Sequence, residues 1–260
     1  MELIDTHTHL FLDNFDKDID DVINRAIQNN ITKMFCPNID LSTIEKLNSL
    51  TQKYPKKCFP LIGLHPESVK ENFQDDLDKI KQLLTSDKYY GIGEIGIDLY
   101  WDKKYKQQQI QAFQSQVKLA KKLKLPIVIH VREAFDEIFK IIDSEIDQDL
   151  KGIFHCFTGN LQQAQHIIEY KNFKLGIGGI LTYKNSDLKD TIKHIDLEHI
   201  VLETDSPFLS PVPKRGKRNE SSFLIYIAEF LSKIKNIPLT DIAQITTKNA
   251  NEIFSIKSIF

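Results

Sequence analysis

Ile4-Asp5-Thr6-His7-Thr8-His9 decides how the rest of this chain is read. A short apolar run enters it, as at the end of a buried strand, and two imidazoles then come with one residue between them. Side chains alternate in an extended segment, so His7 and His9 project the same way from the strand's C-terminal end. Two neutral imidazoles side by side cost packing in a core, and a divalent cation is the usual compensation. The plainer alternative is one capping imidazole and one solvated one. Residues farther along the chain decide between them.

Outward from this stretch the chain alternates strand-like and helix-like segments. Asp16 to Asn30 carries Ile19, Val22, Ile23, Ala26 and Ile27 on one helical stripe. Ile31 to Cys36 reads as a strand, and Ser42-Thr43-Ile44-Glu45 as a capping box opening a helix. Phe59 to Leu64 reads as a strand, Asp75 to Leu84 as a helix, and Tyr90 to Ile95 as a strand ending near Glu94. Tyr105 to Lys124 is the longest helix, with a stripe of Ile110, Phe113, Val117, Ala120 and Leu123; Pro126 stops it before the apolar strand Ile127-Val128-Ile129. Gly152 to Phe154, Lys174 to Ile177 and Ile200 to Leu202 are further strands, and from Ser221 onward the period is helical, expected to close an outer ring. Such alternation implies parallel pairing, because parallel neighbours need crossovers. About eight strands in about 250 residues is the expectation for a single-domain α/β protein of the (β/α)8 barrel type. A doubly wound open sheet is second, and the first βα turn lacks its Gly-rich phosphate fingerprint.

Five of the eight histidines, His7, His9, His65, His130 and His155, each follow an apolar strand-like run. His166, His194 and His199 lie on or beside helical segments, where a surface role covers them. The C-terminal strand ends of a barrel meet at one face, so the five converge whatever their separation in sequence. Glu94 and Asp205 occur at strand ends too. An isolated acid there is usually an N-cap or a turn residue; beside five imidazoles a carboxylate is better explained as a ligand. Imidazole and carboxylate donors suit Zn²⁺, Mn²⁺, Fe²⁺, Co²⁺ or Ni²⁺. The donors outnumber what one tetrahedral ion takes, so two cations sharing a carboxylate and a hydroxide fit the count. Cys156 adjoins His155, but strand alternation is expected to turn it into packing.

The chain has 260 residues, with Lys+Arg 34 against Asp+Glu 36 and a formal net charge of -2, so any polyanion must be held locally. Its three cysteines, with no Cys-x-x-Cys spacing, suit a reducing compartment, and no leader-like or membrane-length apolar run is evident. A cytoplasmic monomer without membrane contact is the expectation.

Assembled in order, these motifs resemble the TatD family of metal-dependent deoxyribonucleases, within the amidohydrolase-like barrel superfamily. The matching stretches run from Asp5-Thr6-His7-Thr8-His9 through Gly63-Leu64-His65-Pro66, Gly93-Glu94-Ile95-Gly96-Ile97-Asp98, His130-Val131-Arg132 and His155-Cys156-Phe157-Thr158-Gly159 to Glu203-Thr204-Asp205-Ser206-Pro207 and Arg215-Gly216-Lys217-Arg218-Asn219-Glu220. The resemblance implies two divalent ions, Zn²⁺ as bound with Mg²⁺ or Mn²⁺ supporting activity. His7, His9, Glu94 and Asp205 would hold one, and Glu94, His130 and His155 the other, Glu94 bridging. It implies that His65 contacts the substrate phosphate, with Arg132 also on the substrate side. Where the family often continues with proline after Asn-Glu, this chain has Ser221, which is expected to shift the next helix start.

The implied reaction is exonuclease-type cleavage of DNA, single-stranded or at frayed ends. Chemically, a water shared by two cations has its pKa lowered towards neutrality, and Asp205 is placed to orient it or take its proton. Arg215, Lys217 and Arg218 form a basic run suited to phosphate, or else a solvated loop. Tyr100 and Trp101 could stack on a base, or else pack at the rim. An amidohydrolase-type hydrolase or deaminase of a small metabolite is the alternative, although many of those bridge their metals through a carboxylated lysine where this chain offers Glu94. A non-catalytic metal module is third, and a purely structural site would be saturated with ligands.

Overall fold

The alternation resolves, in a computed structural model describing residues 1–86, 88–101 and 103–255, into a (β/α)8 barrel. Its strands are β1 (Leu3–Asp5), β2 (Ile31–Pro37), β3 (Cys58–Leu61), β4 (Ile92–Asp98), β5 (Ile127–Arg132), β6 (Gly152–Phe154), β7 (Phe173–Ile177) and β8 (Ile200–Leu202). The helices that come after them in turn are α1 (Ile19–Gln28), α2 (Ile44–Lys53), α3 (Phe73–Ser86), α4 (Lys106–Leu123), α5 (Phe135–Glu145), α6 (Leu161–Glu169), α7 (Leu188–Lys193) and α8 (Leu224–Lys235), with α9 (Leu239–Phe254) after the last. All strand pairs are parallel, β1 to β3 and β4 to β8 in sequence order. The seams between the two sets are hydrogen-bonded as well. At β3–β4, Gly93 N donates to Ile62 O at 3.1 Å, and at β8–β1, Thr6 N donates to Leu202 O at 3.0 Å and Asp205 N to His7 O at 2.9 Å. Hydrogen bonds thus join each strand to both neighbours around the ring.

Along the strands, Val128, Ile153 and Val201 sit two residues before His130, His155 and Glu203, so alternation sends each pair the same way. The three apolar residues join Ile4, Phe35, Phe59 and Leu61 in a cluster inside the ring, and the polar residues stand above it. Oil at one end and chemistry at the other is the barrel's usual division. Close strand contact at the polar end depends on Gly96: its φ is +156°, and a Cβ there would lie 1.9 Å from His130 O.

Three local expectations change. The residues opening the second helix do form a capping box, but Asp40 and Thr43 make it, with Ser42 N donating to Asp40 Oδ1 at 2.9 Å; Ser42 and Glu45 do not. On α4, Leu123 is 36% exposed while Gln109 and Gln116 are buried. The glutamines are inside because their amides satisfy strand-end backbone: Asp98 N donates to Gln109 Oε1 at 2.9 Å and Leu64 N to Gln116 Oε1 at 2.8 Å. The C-terminal region divides its work. A 3₁₀ turn at Ser221–Phe223 leads into α8, which belongs to the outer ring, whereas α9 closes the barrel floor. Asn249 Nδ2 donates to Leu197 O and Ile200 O, both at 2.7 Å, beneath β8. Ala250, Ile253 and Phe254 complete the inner apolar cluster, Phe254 stacking on Phe35 at 3.6 Å.

Phe254→Ala should therefore lower the unfolding free energy by about 3–5 kcal/mol, the cost of emptying a large buried aromatic position. Denaturant titration measures it; a loss under about 1 kcal/mol would mean that α9 does not seal the floor.

Candidate metal centre

The residues between and before the first imidazoles explain why the pair stands where it does. Thr6, Thr8 and Asp5 turn into a buried network with the segment after β8: Thr204 N and Thr204 Oγ1 donate to Asp5 at 2.9 and 2.6 Å, and Thr8 Oγ1 shares a 2.5 Å hydrogen bond with Ser206 Oγ. Burial pushes the Asp5 carboxyl up to about 7 despite these donors. With His9 N donating to Ser206 O at 2.7 Å, the backbone is fixed on both sides of the imidazoles. His7 and His9 then face one point, their Nε2 atoms 3.1 Å apart.

That point is Glu94. Its motif suggests the end of a strand, yet β4 runs on to Asp98 and leaves Glu94 in mid-strand, 3% exposed. Its two oxygens divide the imidazoles. Oε2 lies 3.1 Å from His7 Nε2 and 3.5 Å from His9 Nε2. Oε1 lies 2.7 Å from His130 Nδ1, 3.3 Å from His65 Nε2 and 3.4 Å from His155 Nε2. Asp205 Oδ1 approaches His9 Nε2 at 3.4 Å and His7 Nε2 at 3.7 Å, on the same side as Oε2. Burial alone would raise the Glu94 carboxyl, but the imidazoles of His65, His155, His7 and His130 outweigh it and hold it well below the usual range.

The outer ring nitrogens show what each imidazole can offer. His9 Nδ1 lies 3.1 Å from Pro37 O, so it donates and frees Nε2 as a ligand atom. Asp98 Oδ2 lies 3.0 Å from His130 Nε2, and Glu203 Oε1 lies 2.9 Å from His155 Nδ1, leaving His130 Nδ1 and His155 Nε2 towards Glu94. His65 is different. Its Nδ1 accepts from Glu67 N at 3.2 Å, so in the neutral ring Nε2 carries the proton and is a donor. A donor aimed into the centre suits an anionic oxygen of a substrate better than a cation.

Glu203 and Asp98, which the sequence motifs contain without marking as functional, are thus orienting carboxylates. Parity held the missing signal: Glu203 shares the inward face with Val201, and Asp98 shares it with Glu94. Glu203 is fully buried and also accepts from Cys156 N at 2.6 Å, and a Cβ at Gly176 would meet its Oε2 at 2.3 Å. Cys156 overturns the alternation argument. Its φ of +45° breaks the extended run, and its thiol forms a donor group with His155 and Asp205.

The expected substrate-side residues separate. Arg132 is exposed at the rim, its guanidinium 3.7 Å over the Tyr100 ring and 5.5 Å from that of Trp101. Arg215 is exposed and stacks on Tyr183 at 4.0 Å. Arg218 is turned to partners within the protein. Its guanidinium grips Asp18 at 2.8 and 2.7 Å and Asn14 O at 2.6 Å, with Arg25 and Glu220 alongside. Asn219 of the same motif holds the Asp205 turn, donating to Thr204 O at 2.8 Å and Phe208 O at 2.6 Å. Phe208, which no sequence motif singles out, is 50% exposed beside His9.

Cations fit this arrangement. His7–His9–Glu94 brings three donor atoms together, and Glu94 Oε1 has His130 Nδ1 at 2.7 Å and His155 Nε2 at 3.4 Å. Among the described residues no helix is long and apolar enough to cross a membrane.

Comparison with known proteins agrees with the site. A family model described as TatD related DNase matches residues 4–255. The uncharacterized metal-dependent hydrolase YabD of Bacillus subtilis is 38% identical over 255 residues, covering 98% of this chain and 99% of that one. Among solved structures, the TatD homologue YjjV from Escherichia coli superimposes with a TM-score of 0.92 at 28% identity, covering 98% of each chain. A TatD family hydrolase from Entamoeba histolytica gives 0.82 at 25% identity, over 97% of this chain and 98% of that one. A barrel whose polar end gathers five imidazoles around one carboxylate, matched along nearly its whole length, places this chain in the TatD-related DNase family as a metal-dependent hydrolase.

Proposed function

We propose that the protein is a deoxyribonuclease of exonuclease type, hydrolysing DNA phosphodiesters at single-stranded or frayed ends with two divalent ions at Glu94. One observation carries the reading: the two Glu94 oxygens each face a separate imidazole group, as a carboxylate shared by two cations requires. Divalent ions held there would lower the pKa of a water and offset charge gathering on the phosphoryl oxygens. Zn²⁺ suits the imidazole-rich set, with Mg²⁺ or Mn²⁺ as supporting ions.

The chain's own groups supply the rest. Asp205 is the more open carboxylate, its side chain 14% exposed against 4% for Glu94. Burial raises its carboxyl, but the hydrogen bond from His9 and the charge of His155 and His7 bring it below the ordinary value, so it is ionised at neutral pH. It orients the attacking water and accepts its proton. Glu94 stays in place between the two groups. His65 Nε2–H donates to a phosphoryl oxygen, and Arg132 brings a fixed positive charge to the entrance. The P–O bond to the leaving ester oxygen breaks as the water oxygen bonds to phosphorus, and that oxygen leaves as an alcohol, taking its proton from solvent while Asp205 keeps the proton of the attacking water.

The deciding assay is nucleotide release from labelled single- and double-stranded DNA by protein of known metal content. Asp205→Asn serves as the control and is expected to retain the fold and lose about 10²–10⁴-fold in turnover. DNA left intact by the metal-loaded protein, with a small amide or amine substrate turned over instead, would give the site to the metabolite-hydrolase reading.

Removing ligands should act on the metal first. His7→Ala and Glu94→Ala are each expected to abolish hydrolysis and lower bound metal. Elemental analysis decides, and full occupancy with near wild-type rates in both would overturn the two-ion assignment.

Metal binding should also release protons. Without cations, burial opposes charge on His9 and His130, but Asp205 with Glu94, and Asp98 with Glu94, push these imidazoles up to about 10. At neutral pH both are therefore protonated and a cation must displace those protons, so affinity rises with pH by up to about tenfold per unit for each proton expelled. Titration calorimetry in buffers of different ionisation enthalpy counts them, and a pH-independent affinity between pH 6 and 8 would contradict it.

The two arginines should separate in salt dependence. Arg215→Ala is expected to flatten the slope of log affinity for a non-cleavable single strand against log salt by ~0.7 for one lost phosphate contact. Arg218→Ala should instead lower stability by freeing Asp18, with the slope unchanged. Equal slopes for Arg215→Ala and wild type would remove that loop from the DNA path.

A further inference from the structure

Trp101 is 72% exposed and Tyr100 is 47% exposed, and with Phe208 they are the large aromatic rings left open among the described residues. Rim packing does not account for them, because a packed indole is not left mostly in water. The two rings meet edge to face at 4.7 Å, and Arg132 lies over Tyr100 at 3.7 Å, so both are held by their neighbours. Beneath Trp101 is a recess of about 200 Å³. Pro66, Val69, Trp101 and Tyr105 give it flat or apolar walls. Tyr105 is held in turn, its hydroxyl donating to Glu71 Oε1 at 2.6 Å and Lys70 Nζ lying 5.3 Å from its ring centre.

Size and charge narrow the occupant. The volume falls below the about 300 Å³ at which sites for drug-sized ligands begin, so one ring system fits and a longer segment does not. Asp98 and Glu67 line the recess with one cation, Lys70, whose Nζ donates to Glu67 O at 2.9 Å, so the lining is anionic on balance and disfavours a phosphate inside it. Asp98 is anchored there, accepting from Tyr100 N at 2.9 Å and lying 3.0 Å from His130 Nε2. The recess also shares its boundary with the centre: Pro66 is next to His65 in the chain, and Asp98 touches His130. The recess thus suits a neutral planar group on one side of Asp98, with the imidazoles and Arg132 on the other side for an anionic group joined to it through a short linker.

We propose that this recess receives a single nucleobase of the substrate strand, stacked on the Trp101 indole, next to the phosphate being cleaved. The proposal rests on the assignment of DNA as substrate. Stacking tolerates every base because each has a π-face, so the slot would grip a strand without reading its sequence.

Trp101 is the chain's one tryptophan, so fluorescence excited at the red edge, beyond tyrosine absorption, reports on this position alone. Metal-loaded protein is titrated with 2′-deoxyadenosine 5′-monophosphate and, separately, with 2-deoxyribose 5-phosphate and inorganic phosphate. A saturable change in emission with the nucleotide and none with the base-free probes is expected. In parallel, oligonucleotides ending in normal or abasic residues are compared as substrates. Trp101→Leu should reduce the preference for the base-bearing end by about tenfold, the scale of one lost stack. Equal responses to nucleotide and sugar phosphate, or a silent Trp101 with an unchanged preference in Trp101→Leu, overturn the slot. DNA cleavage with a silent Trp101 sinks the slot and spares the nuclease; a nucleotide-specific response without cleavage removes the nuclease and with it the slot's place beside a cleaved phosphate, leaving only a base-binding recess.

Discussion

A carboxylate 3% exposed, Glu94, sets the terms for everything at the polar end of this barrel. A buried anion is tolerated only where opposite charge or strong donors surround it. Here five imidazoles do so, brought from β5 and from the chain just past β1, β3 and β6. A ring of parallel strands with every C-terminal end on one side assembles such a set from residues far apart in sequence. Closure at both seams is therefore a condition of the chemistry. The hydrogen bond from Asp205 N to His7 O serves it twice, joining β8's exit to β1's and setting Asp205 beside the His7–His9 pair.

The floor and the centre are coupled through the same strands. Val128, Ile153 and Val201 belong to the inner apolar cluster, and two residues on, His130, His155 and Glu203 stand at the candidate metal centre. One register fixes both layers, since a slip by one residue would turn the apolar residues and the polar residues above them away from the interior together. This explains why stability and function separate along the barrel axis: α9 meets the lower layer only, while the turns carrying Asp205 and Phe208 are fastened from above by Asn219.

Much of this is legible in the sequence because it is periodic. Strand-length apolar runs, helical stripes and the imidazoles after those runs are local signals, and the ring, the strand order and the gathering of His7, His9, His65, His130 and His155 at Glu94 follow from them. The hidden part depends on partners distant along the chain or on a single torsion. Arg218 reads as a free basic residue until Asp18, 200 residues earlier, is seen to take its guanidinium. Gln109 and Gln116 read as polar surface until the strand ends they satisfy are in view. Cys156 obeys alternation on paper and departs from it through one left-handed φ. Asp98 and Glu203 are recoverable by parity, but the eye stops at the first acid of the one motif and at the Asp205 turn of the other.

The second nitrogen of each imidazole distinguishes holding from donating, and only the folded chain reveals it. In the neutral ring that a cation would select, His9, with a carbonyl on Nδ1, and His130 and His155, with carboxylates on their outer nitrogens, turn lone pairs inward. His65, accepting from Glu67 N, turns a proton inward. Backbone geometry after β3 imposes that difference, since a 3₁₀ turn at Pro66–Ser68 aims the Glu67 N–H at the ring. Were His65 to hold a cation through Nε2, that hydrogen bond would have to break and the turn would lose its N-terminal cap. The fold thus gives one of five similar side chains a different task, and it does so through a single amide.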